Sequence, residues 1–256
     1  VETSDYLKEK NVLTIEPIIV DPTYLYVKPA ILVKYNPDLT SDNAGAITTS
    51  IQNAVIHYET NKLGLFGQNY INSQLIKDIY ETSTSITSIE IDVDMQKKFK
   101  PNTSVSTTYQ VPFNNALYNP HSGHKYAISS TKFTYEGSAN SYFDDDGDSN
   151  LRIYTLTETG ARSYSNNTAR SINYLTGLVT INDIIITAFD GDGVIITADP
   201  DRDDVDGIRN QLLLIKDATI SLYDAKLQQT VSTISSINTE GTTTTIPETG
   251  VITTVY

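Results

Sequence analysis

A chain of 256 residues exceeds the usual size of one domain, and a change of pattern near residue 100 favours two modest domains over one large one. With 31 acidic against 18 basic residues, the net charge of −13 disfavours nucleic acid and anionic lipid, both of which are held by clustered Lys and Arg. The absence of cysteine excludes a disulfide framework, a thiol nucleophile and a thiolate metal site, and no apolar run approaches the ~18 residues that span a bilayer, so a soluble product without membrane contact is expected.

Abundant Thr and Ser, with 17 tyrosines against 6 phenylalanines and no tryptophan, suit half-exposed pleated surfaces, so strands should dominate. The charged opening from Glu2 to Lys10 reads as the end of a helix that begins upstream, and the chain is expected to be a piece of a longer protein. Residues 11–20 and 24–35 form two extended runs divided by the turn-forming pair Asp21 and Pro22. In the second run Leu25, Val27, Ile31, Val33 and Tyr35 fall on one face, and Tyr24, Tyr26, Lys28, Ala30, Leu32 and Lys34 on the other. Pro29 lacks the amide hydrogen that a central strand donates, which predicts an edge strand or a bulge, and an edge is a possible docking site.

Ala44, Ile47, Ile51, Ala54, Val55 and Tyr58 then recur at three- and four-residue intervals, the mark of an amphipathic helix. Gly64 and Gly67 are expected to end it, with Leu65 and Phe66 folding back onto it. A second helix follows, with Asn72 as its cap and Leu75, Ile76, Ile79 and Tyr80 as its buried stripe. The period changes to two where Ile89, Ile91, Val93 and Met95 alternate with Glu90, Asp92 and Asp94, giving a strand with a dry face and an acidic face.

The fold class expected is therefore α+β: an N-terminal strand-helix-helix-strand domain over residues 1–100, followed by an all-β sandwich or open barrel over 101–256. Candidate strands of the second part lie near 104–113, 125–135, 151–158, 178–188, 193–198, 211–223, 230–237 and 251–256. Two short echoes, at 172 and at 244, place Thr-Gly between β runs and read as hairpins turning at Gly177 and Gly250.

Chemistry is sparsely encoded. Two Asp-rich segments, 143–150 and 189–207, hold eleven of the 31 acidic residues and could attract a hard cation. Neither fits an EF-hand: counting from Asp199, Asp201 and Asp203 fall on ligand positions, but Asp204 replaces the glycine and Asn210 the bidentate Glu. They read as solvated turns. His121 and His124 have a spacing that metal sites use but lack a third ligand nearby, and His57 lies on the flank of the first helix. No G-x-S-x-G, P-loop, H-E-x-x-H or G-x-G-x-x-G motif is present, so no catalytic, metal or cofactor-binding residues are assigned and the chain is read as not an enzyme. Tyr24, Tyr26, Tyr35, Tyr58 and Tyr80 are candidate interface anchors, Tyr24 and Tyr26 foremost, and the row Glu90, Asp92 and Asp94 is a second candidate surface.

The order of features from Tyr6 to Met95 resembles the baseplate J-like family of contractile-tail phages, most of all the carboxyl-terminal portion of the baseplate wedge proteins of T-even phages. It is carried by "YLKEKNV", a proline-led turn, "YLYVKPAILVKYNPDLT", "AITTSIQNAVIHYETNKLGLFGQNYINSQLIKDIYE" and "ITSIEIDV", with "LGLFGQNYINSQL" the most distinctive part. The resemblance implies a late virion structural protein of a contractile tail that self-associates as a homodimer and binds other baseplate wedge proteins. Its place would be the ring around the hub, assembled in the host cytoplasm, and it would take part in the rearrangement on infection. Residues 101–256 depart from the shorter J-like proteins and read as an added interaction domain. The rival readings are a carbohydrate- or receptor-recognising β module, with calcium in the Asp-rich loops, and a two-carboxylate glycan hydrolase.

Overall fold

The computed structural model describes residues 22–121, 126–165, 170–237 and 252–255. The expected features at Glu2–Lys10, in the run 11–20, at His124 and at Gly250 lie outside the described residues.

Strand β1 (Thr23–Tyr35) leads through a short 3-10 turn to helices α1 (Ala44–Lys62) and α2 (Asn72–Tyr80) and then to β2 (Ile86–Phe99). The strands after it are β3 (Thr107–Pro112), β4 (Ile128–Ser130), β5 (Phe133–Tyr135), β6 (Ser138–Asp145), β7 (Leu151–Leu156), β8 (Arg162–Tyr164), β9 (Arg170–Asn173) and β10 (Leu178–Ile184). The last are β11 (Ala188–Phe189), β12 (Val194–Ala198), β13 (Gln211–Ile215), β14 (Ala218–Asp224), β15 (Gln229–Ile237) and β16 (Ile252–Val255). The described chain is thus mostly β with two α-helices. β6 and β8 fall where no strand is predicted, β9 pairs antiparallel with β10 as the hairpin expected at Gly177, and the single run expected at 211–223 is two strands, broken at Asp217 with φ 52°.

Twelve strands form one sheet, ordered β11-β5-β6-β4-β12-β2-β1-β14-β15, with β13 also on β1 and with β7 and β8 continuing from β6. A second sheet of four strands runs β16-β3-β10-β9. Strands from both sides of residue 100 share the large sheet: β2 lies antiparallel to both β1 and β12, and β1 lies parallel to β13 and β14.

Because it has neighbours on both sides, β1 is a central strand, which corrects the edge position expected from Pro29. The Val27 carbonyl accepts from Lys216 N at 2.9 Å and the Tyr35 carbonyl from Ala225 N at 3.0 Å, so odd-numbered backbone groups of β1 point toward β13 and β14. Pro29 is odd-numbered. Its missing N–H faces the break between those strands, since β13 pairs as far as Val27 and β14 resumes at Ala30. The irregularity sits in the partner, and no ladder bond is lost.

The two-residue period of β1 and β2 and the helical period of α1 and α2 meet in one core. Leu25, Val27, Ile31 and Val33 of β1 and Ile91, Val93 and Met95 of β2 are buried with Ile47, Ile51, Val55 and Tyr58 of α1 and Leu75 and Ile79 of α2. Each buried aliphatic side chain contributes about 1.5–3 kcal/mol relative to exposure, so this periodic core dominates the local energetics. Asn43 caps α1, its Oδ1 accepting from Ala46 N at 2.9 Å. The other face of the sheet is open around residues 30–34 and 88–92 and becomes covered further along β2, where Lys97 and Lys98 are both buried. Burial pushes the Lys97 ammonium down to about 8. Lys98 Nζ donates to Asp192 Oδ2 at 2.6 Å.

Candidate interaction surfaces

The predicted stripe of α2 holds at Leu75 and Ile79, but its predicted cap does not. The N-cap position is Ile71, which offers no side-chain acceptor, and Asn72 is the first helical residue. Its N–H donates instead to Asp204 Oδ1 at 2.8 Å, a capping group 132 positions away in sequence. That carboxylate complements the positive end of the helix as a local cap would.

Asp204 belongs to a seam that binds the second Asp-rich segment to the turn before α2. Tyr70 and Val205 exchange backbone bonds, Tyr70 N to Val205 O at 2.8 Å and Val205 N to Tyr70 O at 3.0 Å. Gly207 N donates to Asn69 Oδ1 at 2.9 Å, and a Cβ at Gly207 would lie 2.0 Å from the Gln68 carbonyl oxygen, so only glycine permits this approach. Asn115 closes the seam from β3's side, taking Asp206 N at 2.8 Å and giving its amide hydrogen to Asp206 O at 3.0 Å. Three other acids of the segment form ion pairs: Asp190 with Lys132 at 3.1 Å, Asp192 with Lys98, and Asp206 with Arg202 at 3.3 Å.

The seam and α1 hold a projecting apolar tip. Leu63 is buried, Gly64 N donates to Leu213 O at 3.2 Å, and Tyr70 is fully buried against Tyr58. Between these anchors Leu65 and Phe66 are 65% and 56% exposed. They do not fold back onto α1, as their sequence suggests. Gly64 and Gly67 adopt φ of 75° and 70°, left-handed turns that carry the two side chains outward. A neighbouring Leu-Phe pair presented to water on a tethered loop is the kind of feature that a partner's surface buries.

Of the five tyrosines picked as anchors, Tyr26, Tyr35 and Tyr58 are buried. Tyr26 stacks on the half-buried Tyr24 with centroids 6.4 Å apart, and Lys216 Nζ lies 5.3 Å from the Tyr26 ring. Tyr35 donates to Asp224 Oδ2 at 3.3 Å. The Tyr58 hydroxyl takes Ile71 N at 2.8 Å and donates to Ile71 O at 3.1 Å, fixing the start of α2. Tyr80 is exposed, so only Tyr24 and Tyr80 of the five remain within reach of a partner. Burial of Tyr26 is a tertiary effect, since its face of β1 is polar further along but covered at its start.

The first Asp-rich segment is structural. Asp144 is 1% exposed as a side chain and is bonded by Arg152 Nε at 3.0 Å, by Arg162 Nη1 and by the Tyr164 hydroxyl at 3.0 Å. Arg162 lies over the rings of Tyr126 and Tyr154 at 3.9 and 4.3 Å, and Arg152 over Tyr164 at 4.2 Å. Asp145 points the other way, accepting Ile128 N at 2.9 Å and the Tyr174 hydroxyl at 2.8 Å. Burial raises its carboxyl above the ordinary value, against those two donors. Asp146 closes the turn by accepting from the N–H groups of Asp148 and Asn150 at 2.8 and 3.1 Å. Sequence reasoning missed this cluster. Placing a hairpin between Phe143 and Ile153 would have set Asp144 opposite Arg152, its register partner.

Among the described residues no group of three or more His, Asp or Glu side chains converges as a metal site. His57 and His121 are exposed, His57 on α1 and His121 outside any helix or strand. No helix of the described residues is long and apolar enough to cross a membrane, which leaves strand-built spans unaddressed.

Glu90, Asp92 and Asp94 do form one row on the open face of β2, with Asp94 3.9 Å from Lys28. The stretch containing β1, both helices, the apolar tip and this row also resembles a known family. No curated protein matches the chain. Residues 23–98 match the family model of the baseplate structural protein gp6, C-terminal domain III, and the likeness is to that domain and not specifically to the baseplate J-like family.

Proposed function

We propose that this chain is a non-enzymatic subunit of a phage tail baseplate wedge, which self-associates and binds other wedge proteins to build the ring around the hub. The observation that carries this reading is the likeness of residues 23–98 to a baseplate structural domain, which supports a structural role in the virion baseplate. The tethered Leu65 and Phe66 tip lies inside that stretch and adds to it, because it offers apolar surface to a partner. In this reading residues 101–256 are an added interaction region, tied to residues 1–100 by the shared sheet and by the seam at Asp204 to Gly207. A calcium-assisted recognition module has less support, since Asp144, Asp145, Asp146, Asp190, Asp192, Asp204 and Asp206 already serve arginine, lysine, hydroxyl or backbone N–H groups.

Light scattering of the purified chain over a concentration series tests the proposal, with the other wedge proteins added in a second series. A rise in mass with concentration and a mixed complex are expected. A chain that stays monomeric and ignores every wedge protein would refute it.

A further inference from the structure

We infer that the open face of β2, β1 and β14 is a self-complementary surface on which a second copy of this chain docks about a two-fold axis. The inference rests on the self-association proposed above and names the surface that provides it.

β1 runs parallel to β13 and β14 but antiparallel to β2, and around residues 30–34 and 88–92 this mixed sheet is covered on its helix side alone. Ala30, Lys34, Ser88, Glu90 and Asp92 stand exposed on the other side, around the half-buried Leu32 and Tyr223.

Charge says what covers it. In the β1–β2 register Lys28 lies opposite Asp94, but Asp92 lies opposite Ala30, Glu90 opposite Leu32, and Lys34 opposite Ser88. Two like charges therefore sit two residues apart on one strand with no cation across from them. One lysine on the next strand faces a serine, its ammonium 5.5 Å from the Tyr223 ring centroid. Both signs are left unmatched on one face, one strand apart. A two-fold contact sets Lys34 of each copy against Glu90 and Asp92 of the other, and Leu32 and Tyr223 supply an apolar centre. A partner of a single sign would satisfy only half of the face.

Sedimentation velocity of the full chain tests this with Lys34→Glu and with the pair Glu90→Lys and Asp92→Lys. Each variant alone is expected to weaken self-association by about tenfold or more, because every cross-copy contact becomes repulsive. An equimolar mixture of the two is expected to restore it, since both contacts then join opposite charges. Leu32→Asn, uncharged and at the centre of the same face, is expected to weaken association as well, and circular dichroism checks that each variant is folded. If the wild type associates and the variants associate equally well, the surface is wrong while the proposed function stands. If variants weaken but the mixture is not restored, the two-fold arrangement is wrong. A wild type that is monomeric throughout overturns both this surface and the self-association it rests on.

Discussion

The helix-covered half of the large sheet and the β6–β7–β8 corner are both well packed, but on different principles. Around β1, β2, α1 and α2 the core is aliphatic and follows periods of 2 and 3.6, so each element announces its own buried face. At the corner the centre is a buried carboxylate held by two arginines and the Tyr164 hydroxyl, 8, 18 and 20 positions from Asp144, with the rings of Tyr126, Tyr154 and Tyr164 against the guanidinium groups. The first core tolerates loss of one member by partial collapse. The second does not, because removing one charge strands the others.

The sharpest way to break this contrast is at Asp144. Asp144→Ala is expected to cost about 4 kcal/mol in denaturant unfolding, by leaving two guanidinium groups without their shared acceptor. Asp144→Leu made together with Arg152→Met and Arg162→Met is expected to lose much less, which a mere packing defect would not allow. In the aliphatic half, Ile51→Ala is expected to cost about 3 kcal/mol, measured the same way, and no second change nearby should recover it except one that refills the volume.

Asp145 separates charge from hydrogen bonding within the corner. Asp145→Ala leaves the Ile128 N–H and the Tyr174 hydroxyl unsatisfied and is expected to cost about 2 kcal/mol, whereas Asp145→Asn, which still accepts, is expected to stay within about 1 kcal/mol. On β2, Lys97 gives a pH signature. Its folded value of about 8 lies below the ordinary 10.5, so the unfolded chain binds more protons between those values. Stability contributed by this group therefore rises with pH across that window. Lys97→Met is expected to flatten that rise in thermal unfolding, and to raise stability at pH 7 by on the order of 1–3 kcal/mol.

The smallest effect is expected at Asp224, at the end of β14. Its carboxyl is held below the ordinary value first by the Leu227 N–H, then by the Lys226 N–H and the Tyr35 hydroxyl. A depressed folded value contributes stability above the unfolded value that is lost as pH falls through the folded one. Asp224→Asn should remove part of the acid limb of the stability profile and lower the plateau above it without changing its slope near and above neutral pH.

Legibility followed the same divide. The buried faces of β1, α1 and β2 could be read because one chemical property repeats at one spacing, and Leu25, Ile51 and Val93 lie where that repeat puts them. Tyr26 and Phe66 could not, since the polarity of a strand face does not say what covers its end, and two glycines do not say which way a loop tip turns. The Asp-rich segments looked like ligand loops by composition. Several of these acids proved to have neighbours that their own segment does not contain: Asp144 has Arg152 and Arg162, Asp192 has Lys98, and Asp204 has the Asn72 amide.

By itself the sequence determined the strand-helix-helix-strand order, the inward faces of those elements and the dominance of β structure, because these depend on spacing and composition. Only the tertiary structure decided that β1 is central, that Asp204 caps α2, that Asp144 gathers Arg152 and Arg162, and that Leu65 and Phe66 face outward. Those outcomes depend on which distant strand or loop arrives beside a residue, and the pairing of segments more than a hundred residues apart leaves no period in the chain to read.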